Sequence, residues 1–336
     1  MNNSQLTICI PTYNRSRYLA STLDRLIYSL SDFLGERVFI FVSDNCSDDD
    51  TGSVLRRYSD QYPFIEVFTH VKNNGWSNNF QFCYRKCETE FIWLLSDDDM
   101  PVDVVIQKII DHLFFASPSI LILRPYGYDC DDLREYPGYL SSPLELCEIE
   151  IGNINSLIEK CGLNTTLISS LIFKKDMSLA LPSDLSSFNL GFFYIFLQHF
   201  NKANDILYVK NYSLACKRDN SQSYIFSNIF VTELFTILSR NQIYLADFNI
   251  SSILFLFFRY YPPYLLKMDS SNLKGVVKDF DSVFIDHPLY KFFFRMLLFC
   301  SKGVLRLILY CFYFVGRVVF DNPGRLLVYF FRKVIR

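Results

Sequence analysis

The sequence predicts an α/β fold built on a mainly parallel, doubly wound sheet flanked by helices. Three observations lead to this prediction. Short apolar runs alternate with helical patterns over the first 125 residues, which is typical of βαβ units and a parallel sheet. Polar clusters follow several of these runs, at the points where strands would end. With 336 residues, half of them hydrophobic, the chain is long enough to bury a large core.

The individual elements follow from length and spacing. Predicted strands are short, apolar and rich in β-branched or aromatic residues, whereas predicted helices carry apolar residues on one face, as Leu19, Leu23 and Leu26 do in the first. The last helix of the series opens at Pro101, a residue that fits the first turn of a helix. The predicted strands are 6–10, 37–42, 65–69, 91–95 and 119–123, and the predicted helices are 15–30, 50–61, 76–86 and 101–116.

The pattern weakens after residue 126. Turn signals such as Pro137-Gly138 separate short apolar runs, among them 166–173 and 206–209. The ten cysteines of the chain show no paired metal-binding spacing, so we expect reduced, structural thiols.

Polar clusters follow three of the predicted strands. Residues 11–15 (PTYNR) follow the first strand, 43–49 (SDNCSDD) the second and 96–99 (SDDD) the fourth. Ligands of such sheets bind at the carboxyl ends of the strands. One acidic cluster alone would be weak support for a site, because Asp is common in turns and at helix N-caps. Three clusters at the same edge of one sheet form a candidate binding site.

Asp97, Asp98 and Asp99 are the most specific feature of the sequence. Consecutive carboxylates repel one another, and the repulsion is worst beside a buried strand. A divalent cation, Mg²⁺ or Mn²⁺, removes that cost and can bridge carboxylate oxygens to a diphosphate. The alternative is a solvated turn in which Asp99 caps the next helix. We predict that the triplet binds a metal.

Four segments, in the same order and spacing, resemble the signatures of family 2 glycosyltransferases, which have a GT-A fold: CIPTYN at 9–14, VSDNCSDD at 42–49, NNGWSNN at 73–79 and WLLSDDD at 93–99. The SDDD form and the aromatic, basic C-terminus are most similar to O-antigen transferases of the abequosyltransferase type. The resemblance implies an enzyme that transfers a sugar from a nucleotide-diphosphate donor. The finer likeness implies lipopolysaccharide synthesis with a dideoxyhexose such as abequose.

The resemblance also implies roles for the residues at matching positions. Asp44 would hold the base or ribose, Asp97 would face the ribose or donor sugar, and Asp98 would be a further residue that binds the nucleotide sugar. Asp99 would bind the metal that holds the diphosphate and stabilises the charge on the leaving group. The other donor-binding positions would be Pro11, Thr12, Asn14, Arg15, Asn73, Asn74 and Asn78.

The second half departs from the family pattern. Inverting members carry an acidic residue before a helix where this chain has FNLGFFY at 188–194. Asp184 is the nearest acid and our candidate base; a turn or N-cap role fits it equally, and a retaining mechanism stays open. Lys217 and Arg218 are candidates to bind the diphosphate, with a solvated turn as the alternative. We expect His199 to be a core or surface histidine.

The C-terminal segment is basic and apolar. Residues 289–336 carry nine Lys or Arg and one acid, a net charge of +8, whereas the first 288 residues carry −10. Five cations between 289 and 320 fall within about 80° of a helical wheel, which is typical of a helix lying in a membrane interface. The alternative is a helix buried against the catalytic domain. The five cations are Lys291, Arg295, Lys302, Arg306 and Arg317.

We therefore expect peripheral attachment to an anionic membrane surface, at the cytoplasmic face of a bacterial inner membrane. The expected acceptor is a polyprenyl-diphosphate-linked oligosaccharide, and no nucleic-acid partner is expected. The expected segments are a nucleotide-sugar-binding half of a GT-A domain at 1–125, an acceptor-binding half at 126–240, a helical segment at 241–288 and membrane-associating helices at 289–336.

Two other functions fit parts of the pattern. A sugar nucleotidyltransferase would share the sheet and the acids, but it needs a Gly-rich, basic loop where this chain has PTYN at 11–14. A non-catalytic membrane-bound module would keep the nucleotide pocket without turnover, and the absence of a carboxylate from 188–194 favours it.

Overall fold

The computed structural model describes residues 4–128, 143–162, 164–217, 227–244, 247–250, 253–254, 257 and 270–296. The chain divides into two compact units, 1–223 and 224–336. The described strands of the first unit are β1 (Leu6–Thr12), β2 (Val38–Asp44), β3 (Ile65–Thr69), β4 (Phe91–Leu94), β5 (Met100–Pro101), β6 (Ile120–Tyr128), β7 (Leu146–Glu148), β8 (Leu171–Lys174) and β9 (Ile206–Lys217). Its helices are α1 (Ser16–Ser29), α2 (Thr51–Gln61), α3 (Trp76–Lys86), α4 (Asp103–Ala116), α5 (Ile154–Cys161) and α6 (Gly191–Phe200).

The described strands of the first unit form one mixed sheet in the order β3-β2-β1-β4-β8-β6-β9-β5, with β7 paired to β9. The first four strands in this order are mutually parallel, which confirms the predicted α/β unit. β8 then runs antiparallel between β4 and β6. The predicted strand 119–123 therefore does not lie next to β4, because a later segment of the chain is inserted between them.

Pro101 is where an element prediction was wrong. We predicted that it opens a helix, but it lies in β5, opposite Leu214 of β9. Proline is accepted there because β5 is at the edge of the sheet, where the missing N–H breaks no ladder. The helix begins two residues later, at Asp103. The next N–H, that of Val102, bonds Ser213 O at 3.0 Å and continues the pairing.

The core lies on the sheet and under its helices. All seven residues of β1 and all four of β4 are buried, as expected for central parallel strands. The helix α1 buries Leu19, Leu23 and Leu26 completely, each contributing about 1.5–3 kcal/mol of hydrophobic stabilisation. This packing fixes the carboxyl ends of β1, β2 and β4, from which the polar clusters extend.

The second unit is helical where it is described. A π-helical stretch, Asn228–Glu233, leads into α7 (Leu234–Arg240), and α8 (Ser270–Phe284) follows. Its core is aromatic: Phe280 and Tyr290 stack with ring centroids 6.1 Å apart. Arg295 makes two hydrogen bonds to Asp281, with Nε–Oδ1 at 2.7 Å and Nη2–Oδ2 at 2.9 Å.

The predicted basic stripe is only partly described. Lys291 is exposed and Arg295 is paired with Asp281, while Lys302, Arg306 and Arg317 lie outside the described residues. Of the helices that the structure describes, none combines the length and hydrophobicity needed to cross a membrane. The interfacial role of residues 289–336 stays a prediction.

His199 is a core histidine, held in one tautomer. On α6 it is 7% exposed; its Nδ1 donates to Ile195 O (2.8 Å) and its Nε2 accepts from Asp176 N (3.2 Å). Burial lowers its pKa, so folding favours the neutral ring. Its contribution to stability is therefore present above the unfolded pKa of about 6.5 and is lost as pH falls below that value.

We expect this histidine to make the fold acid-sensitive. Between pH 7.5 and 5.5 the free energy of unfolding should fall by at most about 1.4 kcal/mol per pH unit. Each kcal/mol lost should lower Tm by roughly 2–4 °C. His199→Gln should flatten this part of the Tm profile, measured by differential scanning fluorimetry. His112→Gln on α4 is the control for replacing a histidine elsewhere in the first unit. An unchanged slope in His199→Gln would contradict the assignment.

Candidate active site

The ends of β1, β2 and β4 bring the first and third polar clusters together. Thr12 lies opposite Asp44 in the parallel register, and Cys9 lies opposite Leu94. Thr12 Oγ1 donates to Asp97 Oδ2 at 2.7 Å, which links the end of β1 directly to the triplet. Pro11 is buried in the same strand. The structure therefore places Pro11, Thr12, Asp44 and Asp97 at one edge of the sheet.

The triplet is a tight turn with two buried carboxylates. Asp97 is 7% exposed and Asp99 is 4% exposed. Thr22 of α1 donates from Oγ1 to Asp97 O at 2.9 Å, and Ser96 Oγ donates to Asp98 Oδ1 at 2.7 Å. Arg15 Nη1 lies 3.8 Å from Asp98 Oδ2. The turn is thus held by neutral hydroxyls and by Arg15 at its rim.

These carboxylates are electrostatically strained. Burial, followed by repulsion from Asp98, raises the pKa of both Asp97 and Asp99 well above the usual value for aspartate. Among the described residues, no group of three or more His, Cys, Asp or Glu side chains is placed to hold a metal ion by itself. Mg²⁺ usually takes one or two carboxylates and completes its shell with water and substrate phosphates. The triplet therefore fits a cation that is shared with a diphosphate.

The loops after β1 and β2 are clamped to each other. Asn14, whose φ of 54° is left-handed, exchanges two hydrogen bonds with Asp48: Nδ2 donates to Oδ1 (2.6 Å), and the Asp48 N–H donates to Asn14 Oδ1 (2.9 Å). Asp44 Oδ1 accepts from Ser47 N (3.1 Å) and Ser47 Oγ (2.5 Å). Asn14, predicted as a pocket residue, has its side chain engaged in holding this loop pair together.

A third loop, before α3, is attached by the buried residue Asn45. Its Nδ2 donates to Asn73 Oδ1 (2.9 Å), and its Oδ1 accepts from the Asn74 N–H (2.9 Å). Gly75 follows with a φ of 83°, a left-handed conformation that favours glycine. Asn73 and Asn74 therefore lie beside the end of β2, and their part in the donor pocket stays a prediction.

Within α3, Asn78 and Asn79 occupy different environments. Asn78 is exposed and donates from Nδ2 to Asn74 O at 2.8 Å. Asn79 is 2% exposed; its Oδ1 accepts from Ser43 Oγ (2.6 Å), and its Nδ2 donates to Ser43 O (2.9 Å) and Thr12 O (3.4 Å). Asn79 thus joins α3 to the ends of both β1 and β2.

Asp184 lies in a short 3-10 turn, Ser183–Ser187, and is exposed. This turn and the residues after it are attached to the start of α3. Ser77 Oγ donates to Leu185 O (3.1 Å), and Trp76 Nε1 donates to Asn189 O (3.1 Å). The segment therefore borders the 73–79 loop. The role of Asp184 as a base stays a prediction.

Packing explains the glycine in the segment 188–194. A Cβ at Gly191 would lie 2.9 Å from Phe80 Cζ and 3.0 Å from Leu185 O. Glycine therefore allows α6 to begin close against α3 and the 3-10 turn.

The end of β9 also reaches the triplet. The Cys216 thiol contacts Asp99, and burial together with this carboxylate raises the pKa of the thiol. Lys217 is the next residue and the last of β9, opposite Tyr128. Arg218 lies outside the described residues. The diphosphate-binding role of both cations stays a prediction.

Four residues of the site were missed by the reasoning from sequence: Thr22, Asn45, Asn79 and Ser169. Thr22 offered a signal, since it is a polar residue on the apolar face of α1. Asn45 and Asn79 lie inside the motifs at 42–49 and 73–79, but nothing in the spacing distinguishes a buried amide from an exposed one. Ser169 donates to Asp99 Oδ2 at 2.6 Å and offered none, because its place depends on the antiparallel pairing of β8.

Comparisons of sequence agree with the motifs. The family model described as Glycosyl transferase family 2 matches residues 7–170. An uncharacterized glycosyltransferase of Mycoplasma pneumoniae, the MG025 homolog, is 31% identical over 108 residues, 32% of this chain and 35% of that protein. Abequosyltransferase RfbV of Salmonella typhimurium is 25% identical over 122 residues, 36% of this chain and 32% of that protein. The match spans about a third of the length of these curated relatives.

Comparisons of structure agree on the fold. TarS of S. aureus, residues 1–349 in complex with UDP-GlcNAc, has a TM-score of 0.61 at 18% identity and covers 91% of this chain and 89% of its own. The mannosyltransferase PcManGT of Pyrobaculum calidifontis, in complex with GDP-Man and Mn²⁺, has a TM-score of 0.51 at 12% identity and covers 90% and 87%. Residues 7–170, just under half of the chain, are similar to family 2 glycosyltransferases, and the chain has the GT-A α/β fold.

Proposed function

We propose that this protein transfers a sugar from a nucleotide-diphosphate donor to an acceptor, with Mg²⁺ or Mn²⁺ as cofactor. The observation that carries the proposal is the pair of buried carboxylates, Asp97 and Asp99, at the edge of the sheet where Thr12 and Asp44 also end. Two buried acids without a cation are unfavourable. A cation bridged to a diphosphate relieves that cost at the place where a parallel sheet binds ligands.

Each part of the site has a task in this reaction. Asp44 is buried beside the clamped loops and offers a carboxylate to the base or ribose. Asp97 would face the ribose or donor sugar, and the hydrogen bond from Thr12 holds the Asp97 carboxylate in place. Asp99 is the residue that would bind the cation. When bound, the cation supplies charge stabilisation for the leaving nucleoside diphosphate. Arg15 at the rim adds a second positive charge near Asp98.

Thermal shift measurements test whether the protein binds a nucleotide sugar and which nucleotide it prefers. Purified protein is melted with UDP-, GDP-, CDP- and dTDP-sugars, with and without Mn²⁺. We expect one nucleotide class to raise Tm in a metal-dependent way, because a ligand at 100 times its Kd stabilises by about 2.7 kcal/mol. Protection without release of nucleoside diphosphate, with any acceptor tested, would favour the non-catalytic module. No protection by any nucleotide would contradict the proposal.

We propose a polyprenyl-diphosphate-linked oligosaccharide as the acceptor and a dideoxyhexose such as abequose as the donor sugar. The likeness to an abequosyltransferase supports the sugar and lipopolysaccharide synthesis. Exposed Phe292 (70%) and Met296 (64%), beside exposed Lys291, support peripheral attachment to a membrane surface, which we propose to be the cytoplasmic face of a bacterial inner membrane. The apolar side chains would enter the interface and the lysine would meet anionic headgroups.

Membrane attachment is tested by sedimentation with vesicles. The full chain should bind phosphatidylglycerol-containing vesicles and bind pure phosphatidylcholine weakly. Lys291→Glu should weaken binding to the anionic vesicles by about fivefold or more, since each basic residue near the surface contributes about 1 kcal/mol. Lys274→Glu, the same charge change at an exposed position of α8, is the control. Equal binding by both variants would contradict a specific contact through Lys291.

A further inference from the structure

We propose that Ser169 is a positioning residue for Asp99, which holds the carboxylate in the orientation that the cation requires. This inference rests on the proposed function, because it assigns a task to Ser169 in the metal site of the transferase. Ser169 belongs to none of the sequence signatures. Its role follows from its contacts and from the pairing of two strands.

Three hydrogen bonds connect Ser169 to the SDDD turn and to the strand before it. Its Oγ donates to Asp99 Oδ2 at 2.6 Å and accepts from the Ser96 N–H at 2.9 Å. Its carbonyl oxygen accepts from Trp93 Nε1 at 2.7 Å. Ser169 is fully buried, as is Trp93. One serine is therefore held by the strand before the triplet and in turn holds both ends of the SDDD turn.

The strand register explains why residue 169 occupies this place. β8 is antiparallel to β4, with Trp93 opposite Ile172. Continuing this register past the end of β4 brings Ser96 opposite Ser169, which lies in the 3-10 turn Ile168–Ser170 just before β8. The hydroxyl reaches Asp99 because the triplet turns back over this point. The insertion of β8 next to β4 thus supplies a hydrogen-bond donor that the parallel half of the sheet does not provide.

A hydroxyl is well suited to orient a metal-binding carboxylate. It donates one hydrogen bond and carries no charge, so it fixes Asp99 without competing electrostatically with the cation, as a lysine or arginine would. Groups that hydrogen-bond a metal ligand typically change metal affinity by about 10–100-fold when they are removed. The short 2.6 Å contact is in the range of hydroxyl-to-carboxylate bonds.

The neighbouring residue provides a matched control. Ser170 is also fully buried, but its Oγ has no hydrogen-bond partner among the described residues. Ser169→Ala and Ser170→Ala therefore remove the same atom from adjacent, equally buried positions. Only the first removes a contact with Asp99. Ser169→Cys keeps a weak donor of similar size and should restore part of the lost affinity.

The experiment measures binding of Mn²⁺ by the electron paramagnetic resonance of the free ion. Mn²⁺ is titrated together with whichever of UDP, GDP, CDP or dTDP protects the wild type, and metal-free Tm is recorded for each variant. We expect Ser169→Ala to raise the apparent Kd for Mn²⁺ by about tenfold or more. Ser170→Ala should leave this Kd within about twofold, and Ser169→Cys should lie between the two.

The outcomes separate this inference from the proposed function. Wild-type binding of Mn²⁺ with equal Kd values for Ser169→Ala and Ser170→Ala would overturn the role of Ser169 and leave the transferase proposal standing. A wild type that binds no Mn²⁺ with any nucleotide would overturn both. If Ser169→Ala does not fold, a Kd for Ser169→Cys equal to that of the wild type would overturn the inference, and a raised Kd would support it.

Discussion

Replacing Asp99 by asparagine is expected to lower turnover by about 10³-fold, the scale on which loss of transition-state charge stabilisation acts. The variant keeps the size of the side chain, and its amide oxygen can still accept from Ser169 Oγ. It loses the charge that would hold the cation against the diphosphate. Turnover is measured as release of nucleoside diphosphate at saturating donor and Mn²⁺. The control is Asp111→Asn, the same change at an exposed position of α4, which should retain wild-type activity.

The same variant should not be less stable than the wild type when metal is absent. Burial and Asp98 raise the pKa of Asp99, so its stabilising contribution is present below the unfolded pKa of about 4 and is lost as pH rises towards the folded pKa. Asparagine does not ionise, so the variant does not lose stability in this way as pH rises. In EDTA, we expect Asp99→Asn to melt above the wild type at pH 8, with a smaller difference at pH 5.5.

This combination distinguishes a functional carboxylate from a structural one. An inactive variant that is also strongly destabilised at pH 8 would indicate that the ionised Asp99 supports the fold, and the cation-site interpretation would be wrong. An active variant would exclude Asp99 as the essential metal ligand. The expected combination, lost turnover with undiminished metal-free stability, is typical of a site in which strain is retained for function.

The half of the fold that could be predicted is the half governed by local patterns. β1 to β4 and α1 to α3 alternate along the chain, and each is a short apolar run or a one-sided helix of ordinary length. In parallel βαβ units, consecutive strands lie close together in the sheet. The ends of β1, β2 and β4 could therefore be placed at one edge from sequence alone, together with Thr12, Asp44 and the triplet.

The remaining part depends on pairings that no local pattern specifies. β8 lies next to β4 although about 80 residues separate them along the chain, and its four residues read as one of several short apolar runs. The donor to Asp99 comes from the turn before this strand, so Ser169 could not be found without the pairing. The prediction that Pro101 opens a helix was wrong for the same reason, because β5 pairs with β9, which lies more than 100 residues later in the chain.

Asn79→Ala is expected to destabilise the first unit by about 2–4 kcal/mol, because it removes three hydrogen bonds to buried groups at the ends of two strands. Ser43 Oγ and Ser43 O both lose a contact shorter than 3.0 Å, and Thr12 O loses a longer one. The fall in Tm should be roughly 5–15 °C. Donor protection should fall as well, since Thr12 also holds Asp97.

Asn78→Ala is the matched control, one residue away on the same helix. Asn78 is exposed and bonds Asn74 O, so its loss should change stability by no more than about 0.5 kcal/mol. If Asn78 lines the donor pocket, as the family resemblance implies, the Asn78→Ala variant should have a higher KM for the donor and an unchanged Tm. Equal changes of Tm in the two variants would contradict the distinction drawn from the structure. If only Asn79→Ala alters the donor KM, the exposed amide of Asn78 has no part in holding the donor. The motif at 73–79 would then contribute to binding by joining α3 to β1 and β2.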